Sequence, residues 1–148
     1  MRRRLPLSVV LLLAGCAGSV PPPETDRPFA NRIDDLAGEP IPEGEAFSVH
    51  TIFSAPALSA HLTRIRAGAA LAPHFHESHD ETVYVLSGSG DMRIEDTTWR
   101  VEPGTVIHIP RGTVHSVEAD EGGELRGYAI FTPAFDGRDR QFVKPEGP

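Results

Sequence analysis

His74 and His76 stand one residue apart, Glu81 follows five positions later, and His115 lies further along the chain. In an extended strand side chains alternate, so His74 and His76 project to one face, about 6–7 Å apart along the chain. Both imidazoles can then reach one ion. Glu81 lies past a turn at 77–80 and is expected to return on the neighbouring strand as an oxygen ligand. His115 offers a fourth ligand from a later strand pair. Three imidazoles and a carboxylate suit one divalent transition metal (Mn, Fe, Co, Ni, Cu or Zn), with water or substrate completing the sphere. The ligands bind only as neutral imidazoles, so affinity is expected to fall below about pH 6.5. The single cysteine, Cys16, excludes an internal disulfide and a cysteine-cluster zinc site.

Other side chains are candidates around that ion. His79 sits in the turn between ligands, where His76-x-x-His79 would let it supplement a ligand or touch substrate; a solvated loop histidine is the plain alternative. Asp80 reads as a turn residue. His108 falls in the run 105–109, in register with Val106. If that face points inward, His108 is the catalytic candidate, as a general base or substrate contact. Arg64 and Arg66 lie on the strand before the histidines, opposite in parity to His61. One of them facing inward would clamp a substrate carboxylate; a solvated strand face is the alternative. Tyr84 and Trp99 read as packing residues. Nothing suggests a Ser-His-Asp set, a phosphate-binding loop or a dinucleotide fingerprint.

Such ligands need short strands to hold them. Gly 14 and Pro 14 approach a fifth of the 148 residues, which disfavours a helical bundle. Strands are expected over 47–54, 58–67, 82–87, 90–95, 98–101, 105–109, 114–118 and 125–131, with a hairpin tip at Asp96-Thr97. That rhythm indicates a sandwich or barrel. No stretch holds a helical period for three turns. Lys+Arg 14 against Asp+Glu 21 gives a net charge of −7 with no basic stripe, so no nucleic-acid partner is expected.

The spacing resembles the cupin family. Its first motif, G-x5-H-x-H-x4-E-x6-G, is matched by Gly68, His74, His76, Glu81 and Gly88. Its second, G-x5-P-x-G-x2-H-x3-N, is matched by Gly104, Pro110, Gly112 and His115, with Ala119 in place of the closing Asn. The resemblance implies an all-β fold, a double-stranded β-helix or jelly-roll barrel, with a metal at its mouth held by His74, His76, Glu81 and His115. It allows a metal-dependent enzyme, oxygenase- or isomerase-like, acting on a small molecule. It equally allows a non-catalytic module that captures a small ligand or metal. A homodimer would suit a barrel this small.

The first residues read as an address. Arg2, Arg3 and Arg4 precede a mostly apolar run at 5–13, too short to span a bilayer and shaped like an export signal. Leu13-Ala14-Gly15-Cys16 resembles the lipobox of bacterial lipoproteins, which implies acylation of Cys16 and membrane attachment. Ala17 after the cysteine favours the outer membrane, with the barrel facing the periplasm. The expected layout is a signal peptide at 1–15, a proline-rich tether at 16–45, a barrel at 46–135 and an irregular tail at 136–148. Loss of 1–15 leaves 11 basic against 21 acidic residues, a charge of −10.

Overall fold

Runs of β-branched and aromatic residues, punctuated by Gly and Pro, build ten strands in the computed structural model. It describes residues 28–30, 32–36 and 40–143. The stretch expected to be a signal peptide, Cys16, and the proline triplet of the expected tether lie outside the described residues. No helix among the described residues is long and apolar enough to cross a membrane.

The strands are β1 (Phe47–Ala55), β2 (Leu58–Ile65), β3 (Ala70–Phe75), β4 (Asp80–Ser87) and β5 (Gly90–Ile94). Then come β6 (Thr97–Val101), β7 (Val106–Ile109), β8 (His115–Ala119), β9 (Leu125–Thr132) and β10 (Gln141–Phe142). They form two five-stranded antiparallel sheets, ordered β1-β2-β9-β4-β7 and β10-β3-β8-β5-β6. From β3 onward the chain crosses between sheets at every loop except the β5–β6 hairpin. This is the jelly-roll barrel. The hairpin tip falls at Glu95-Asp96, one residue earlier than expected, and Glu95 takes a φ of 51°.

Alternation along the strands fills the interior. On β9, Leu125, Gly127, Ala129 and Phe131 point inward and are buried. Leu125 joins Ile65, Leu71, Val85, Met92, Val101, Ile109 and Ala119 in one core cluster. Ala129 and Phe131 join Phe135 in a second cluster. Gly88 turns the chain from β4 to β5 at a φ of +75°, where a Cβ would lie 2.3 Å from the Glu124 carbonyl oxygen. Only glycine fits both constraints.

The barrel takes in more chain than 46–135. Before it, Phe29 meets Phe53 edge-on at 5.5 Å, and Ile41 is buried. After it, β10 pairs with β3, setting Gln141 opposite Phe75 and Phe142 opposite His74.

Candidate metal centre

β3 and β8 are neighbours, and His74 and His115 face each other directly across them. Their ring centroids are 4.2 Å apart. His76 lies just past the end of β3, 5.3 Å from His74 and 5.6 Å from His115 between ring centroids. One ligand nitrogen from each of the three lies within 4.8 Å of the others. Glu81 arrives from β4. That strand belongs to the facing sheet and is not the neighbour of β3 that the turn at 77–80 suggested. Its Oε2 stands 3.3 Å from His115 Nε2 and 3.6 Å from His76 Nε2. The compact set is therefore the three histidines, with Glu81 meeting His76 and His115 from the facing sheet.

Backbone carbonyls orient every imidazole. His74 Nδ1 donates to Ala72 O at 2.8 Å, His76 Nδ1 to Asp139 O at 2.8 Å, and His115 Nδ1 to Thr113 O at 2.9 Å. Each ring therefore carries its proton on Nδ1 and turns the Nε2 lone pair inward. The Nε2 atoms of His76 and His115 are buried without a hydrogen-bond partner. Lone pairs facing a carboxylate oxygen at this range repel unless a positive charge sits among them. A divalent cation among the three histidines satisfies their buried lone pairs and attracts the Glu81 carboxylate beside them, so the residues fit the metal.

The charge states agree with that fit. Burial, with the neighbouring His115 adding to it, pushes His74 down to about 3. Burial likewise lowers His76. Both are neutral ligands at neutral pH. Burial opposes the Glu81 carboxylate, but the hydrogen-bonding contact with His115 and the electrostatic attraction of the clustered imidazoles outweigh it and hold its pKa below the usual value.

The supporting contacts come from the loops. Asp139 takes hydrogen bonds on its carboxylate from Glu77 N, Ser78 N and His79 Nδ1, at 3.1, 2.8 and 2.5 Å. Asp80 grips the Arg111 backbone and guanidinium at 2.9–3.0 Å, tying the turn before His115 to the start of β4. Phe131 and Phe135 stack at 4.5 Å and each meets His76 edge-on. Ala119 packs in the core cluster, away from the ligands.

Four candidates fall elsewhere. His108 is exposed on β7 and pairs with Thr82 Oγ1 at 3.1 Å. The inward set on β7 is Ile107 and Ile109, so parity turns His108 outward, and it is not among the residues that line the ligand cavity. Arg64 lies on the outward-facing parity of β2 and binds Glu124 in a two-pronged ion pair at 2.6 and 2.9 Å. Arg66 is exposed and holds the carbonyls of Ile41, Pro42 and Glu45, strapping the preceding segment to the barrel. Neither arginine touches the site. His79 is buried, but its ring nitrogens engage Asp139 and the Ala134 carbonyl, so it positions the loop and faces no substrate. Tyr84 and Trp99 are also largely exposed rather than packed.

Two features of the site have no counterpart in the histidine spacing. His61, buried on β2, is bracketed by Ser59 Oγ at 2.7 Å and Thr51 Oγ1 at 3.1 Å. Arg140 reaches the ligand cavity from the tail. That cavity, of about 60 Å³, is lined by His74, Glu81 and His115 together with the apolar Leu71, Val85 and Met92, and by Arg126 as well as Arg140.

A barrel of facing antiparallel sheets with three carbonyl-oriented histidines beside a glutamate defines a jelly roll whose histidine cluster could hold a metal. The cupin domain model matches residues 61–131, and the chain belongs to the cupin family. A protein of Aquifex aeolicus (strain VF5) without assigned function is 32% identical over 108 residues, 72% of this chain and 86% of its own length. Quercetin 2,3-dioxygenase of Bacillus subtilis (strain 168) is 38% identical over 53 residues. That match takes in 36% of this chain and only 16% of the enzyme. Among solved structures, KdgF from a Halomonas species superposes with a TM-score of 0.60 at 27% identity, covering 64% of this chain and 87% of that one.

Proposed function

We propose that this protein is a metal-dependent cupin enzyme, oxygenase- or isomerase-like, that acts on a small molecule. His74, His76, His115 and Glu81 hold one divalent transition metal. The observation that carries this reading is the pair of buried Nε2 atoms, on His76 and His115, that no protein group satisfies. Such atoms are rare in native interiors. The bound ion would act as Lewis acid or redox centre. The protein's own part is to hold neutral imidazoles, exclude bulk water with Phe131 and Phe135, and leave apolar space beside the ligands. The partial match to a dioxygenase supports oxygen chemistry. The test is metal analysis of natively produced protein, followed by oxygen uptake with catechols, thiols and keto acids. Stoichiometric metal with substrate-dependent oxygen consumption or isomerisation supports the reading. Metal without turnover of any of them points to a non-catalytic binding module, and absence of metal overturns both.

We further propose that the barrel is exported and tethered through an acylated Cys16 to the outer membrane. The run from Arg2 to Cys16 supports this. A Cys16→Ser variant should leave the membrane fraction; one that stays there overturns the tether.

A further inference from the structure

Arg140 is a half-buried cation that the metal reading does not use. Its Nε is buried without a hydrogen-bond partner, and it makes no ion pair with a described residue. Aromatic faces hold it instead: its guanidinium carbon lies 5.3 Å from the Phe47 ring centroid and 5.7 Å from that of Phe135. Desolvation lowers its pKa, with the Glu81 charge opposing. An unpaired buried charge is costly, and most arginines in this chain have an acidic partner or several carbonyls.

Its location suggests what pays that cost. Arg140 borders the small cavity shared with His74, Glu81 and His115. It also borders a groove of about 410 Å³ on its other side, with Thr51, His61 and Phe135. The backbone on either side is fixed to the ligand strand. Asp139 accepts from His76, Glu77, Ser78 and His79, and Gln141 pairs with Phe75. The guanidinium is therefore preorganised between an outer groove and the metal ligands.

We infer that Arg140 anchors the carboxylate of an anionic substrate, whose remainder reaches the metal ligands. This rests on the metal-enzyme reading above. A carboxylate matches the guanidinium fork and carries a single charge. A phosphate would bring a second charge next to Glu81, and the groove has Asp136 but no further cation besides Arg140 among its lining residues. The small inner cavity admits only part of a molecule, so a charged handle in the groove and a reactive end at the ligands suits the division of space.

The test compares wild type with Arg140→Met by calorimetric titration of pyruvate, oxalate and benzoate, and of neutral methyl pyruvate. Each titration is run on Zn(II)-loaded and on chelated full-length protein, with zinc content measured in the same samples. Wild type should bind at least one acid about 10-fold or more tightly than the variant, with methyl pyruvate indifferent to the change. Zinc content should be equal, and the variant's melting temperature equal or higher, since an unpaired charge is removed. Should Arg140→Met fail to fold, Arg140→Gln replaces it in the same comparison. Acid binding equal in wild type and variant overturns the anchor, as does failure of wild type to bind any of the acids. Loss of zinc binding in wild type, with Arg140-dependent acid binding kept after chelation, overturns the metal reading and leaves the anchor standing.

Discussion

Acidifying the chelated protein should destabilise it before its carboxylates titrate. His61 and His74 are each 2% exposed, and burial pushes them down to about 4 and about 3. An unfolded histidine titrates near 6.5. Between those values the unfolded chain binds protons that the folded chain refuses. Stability is therefore fully present above about pH 6.5 and falls as the pH drops toward the folded values. At about pH 5 each of the two histidines costs ~2 kcal/mol, together ~4 kcal/mol. That is a large share of the ~5–15 kcal/mol that holds a typical domain folded. His76 is shifted in the same direction and adds to the loss. The assay is urea unfolding of chelated protein at about pH 7.5 and about pH 5, read as the free energy in water.

A variant isolates the share of His61. His61→Gln leaves a hydrogen-bonding side chain between Ser59 and Thr51 but removes the titrating ring. Its fall in stability between the two pH values should be smaller than that of wild type by ~2 kcal/mol. Stability that does not change with pH would refute the reasoning, and so would a His61→Gln fall as large as wild type's.

Chelation itself should lower the melting temperature. An ion held at about 100 times its Kd stabilises the fold by ~2.7 kcal/mol, or ~10–20 °C for a domain of this size, read by scanning calorimetry. His115→Ala removes one ligand and its partner role to Glu81, so metal content by mass spectrometry should fall below half an ion per chain, roughly, under conditions that saturate wild type. Asp139→Ala frees the loop between His76 and Glu81, and metal affinity should weaken about 10-fold by competition with a chelating dye. Gly88→Ala pays for a left-handed φ and for a Cβ 2.3 Å from the Glu124 oxygen, whereas Gly104→Ala, at φ +96° with open space, pays only the first. The first should cost ~2–4 kcal/mol and the second ~1–2 kcal/mol by urea unfolding.

The ligand set was legible because each ligand is fixed by its place in a local stretch. His74, His76 and Glu81 fall within eight residues, and His115 follows the turn that Pro110 and Gly112 mark. What that stretch cannot show is the partner sheet. Glu81 looks like a return on the adjacent strand, because a turn at 77–80 is equally compatible with a hairpin and with a crossover. The crossover follows from the way β4 pairs with β7 and β9, contacts as far as residue 132. His108 shows the same limit at shorter range. Val106-Ile107-His108-Ile109 alternates either way, and only the burial of Ile109 in the core cluster decides the face. The two isoleucines were the available signal, since an apolar pair on one parity outweighs a single valine beside a histidine.

Arg64, Arg66 and Arg140 carry the argument further. All three are arginines, and nothing in composition separates them. Arg64 lies near the end of β2 and Arg66 just past it, yet one binds Glu124 and the other the carbonyls of the preceding segment. Arg140 lies in a tail with no strand pattern, yet of these three it is the one that borders the ligand cavity, beside Arg126 of β9, with its Nε buried and without a hydrogen-bond partner. The difference is made by Asp139. Its backbone oxygen orients His76 and its carboxylate holds the loop that follows, so the tail cannot leave the ligands and the next side chain is carried inward. A residue that orients His76 from 63 positions away therefore also carries Arg140 to the site.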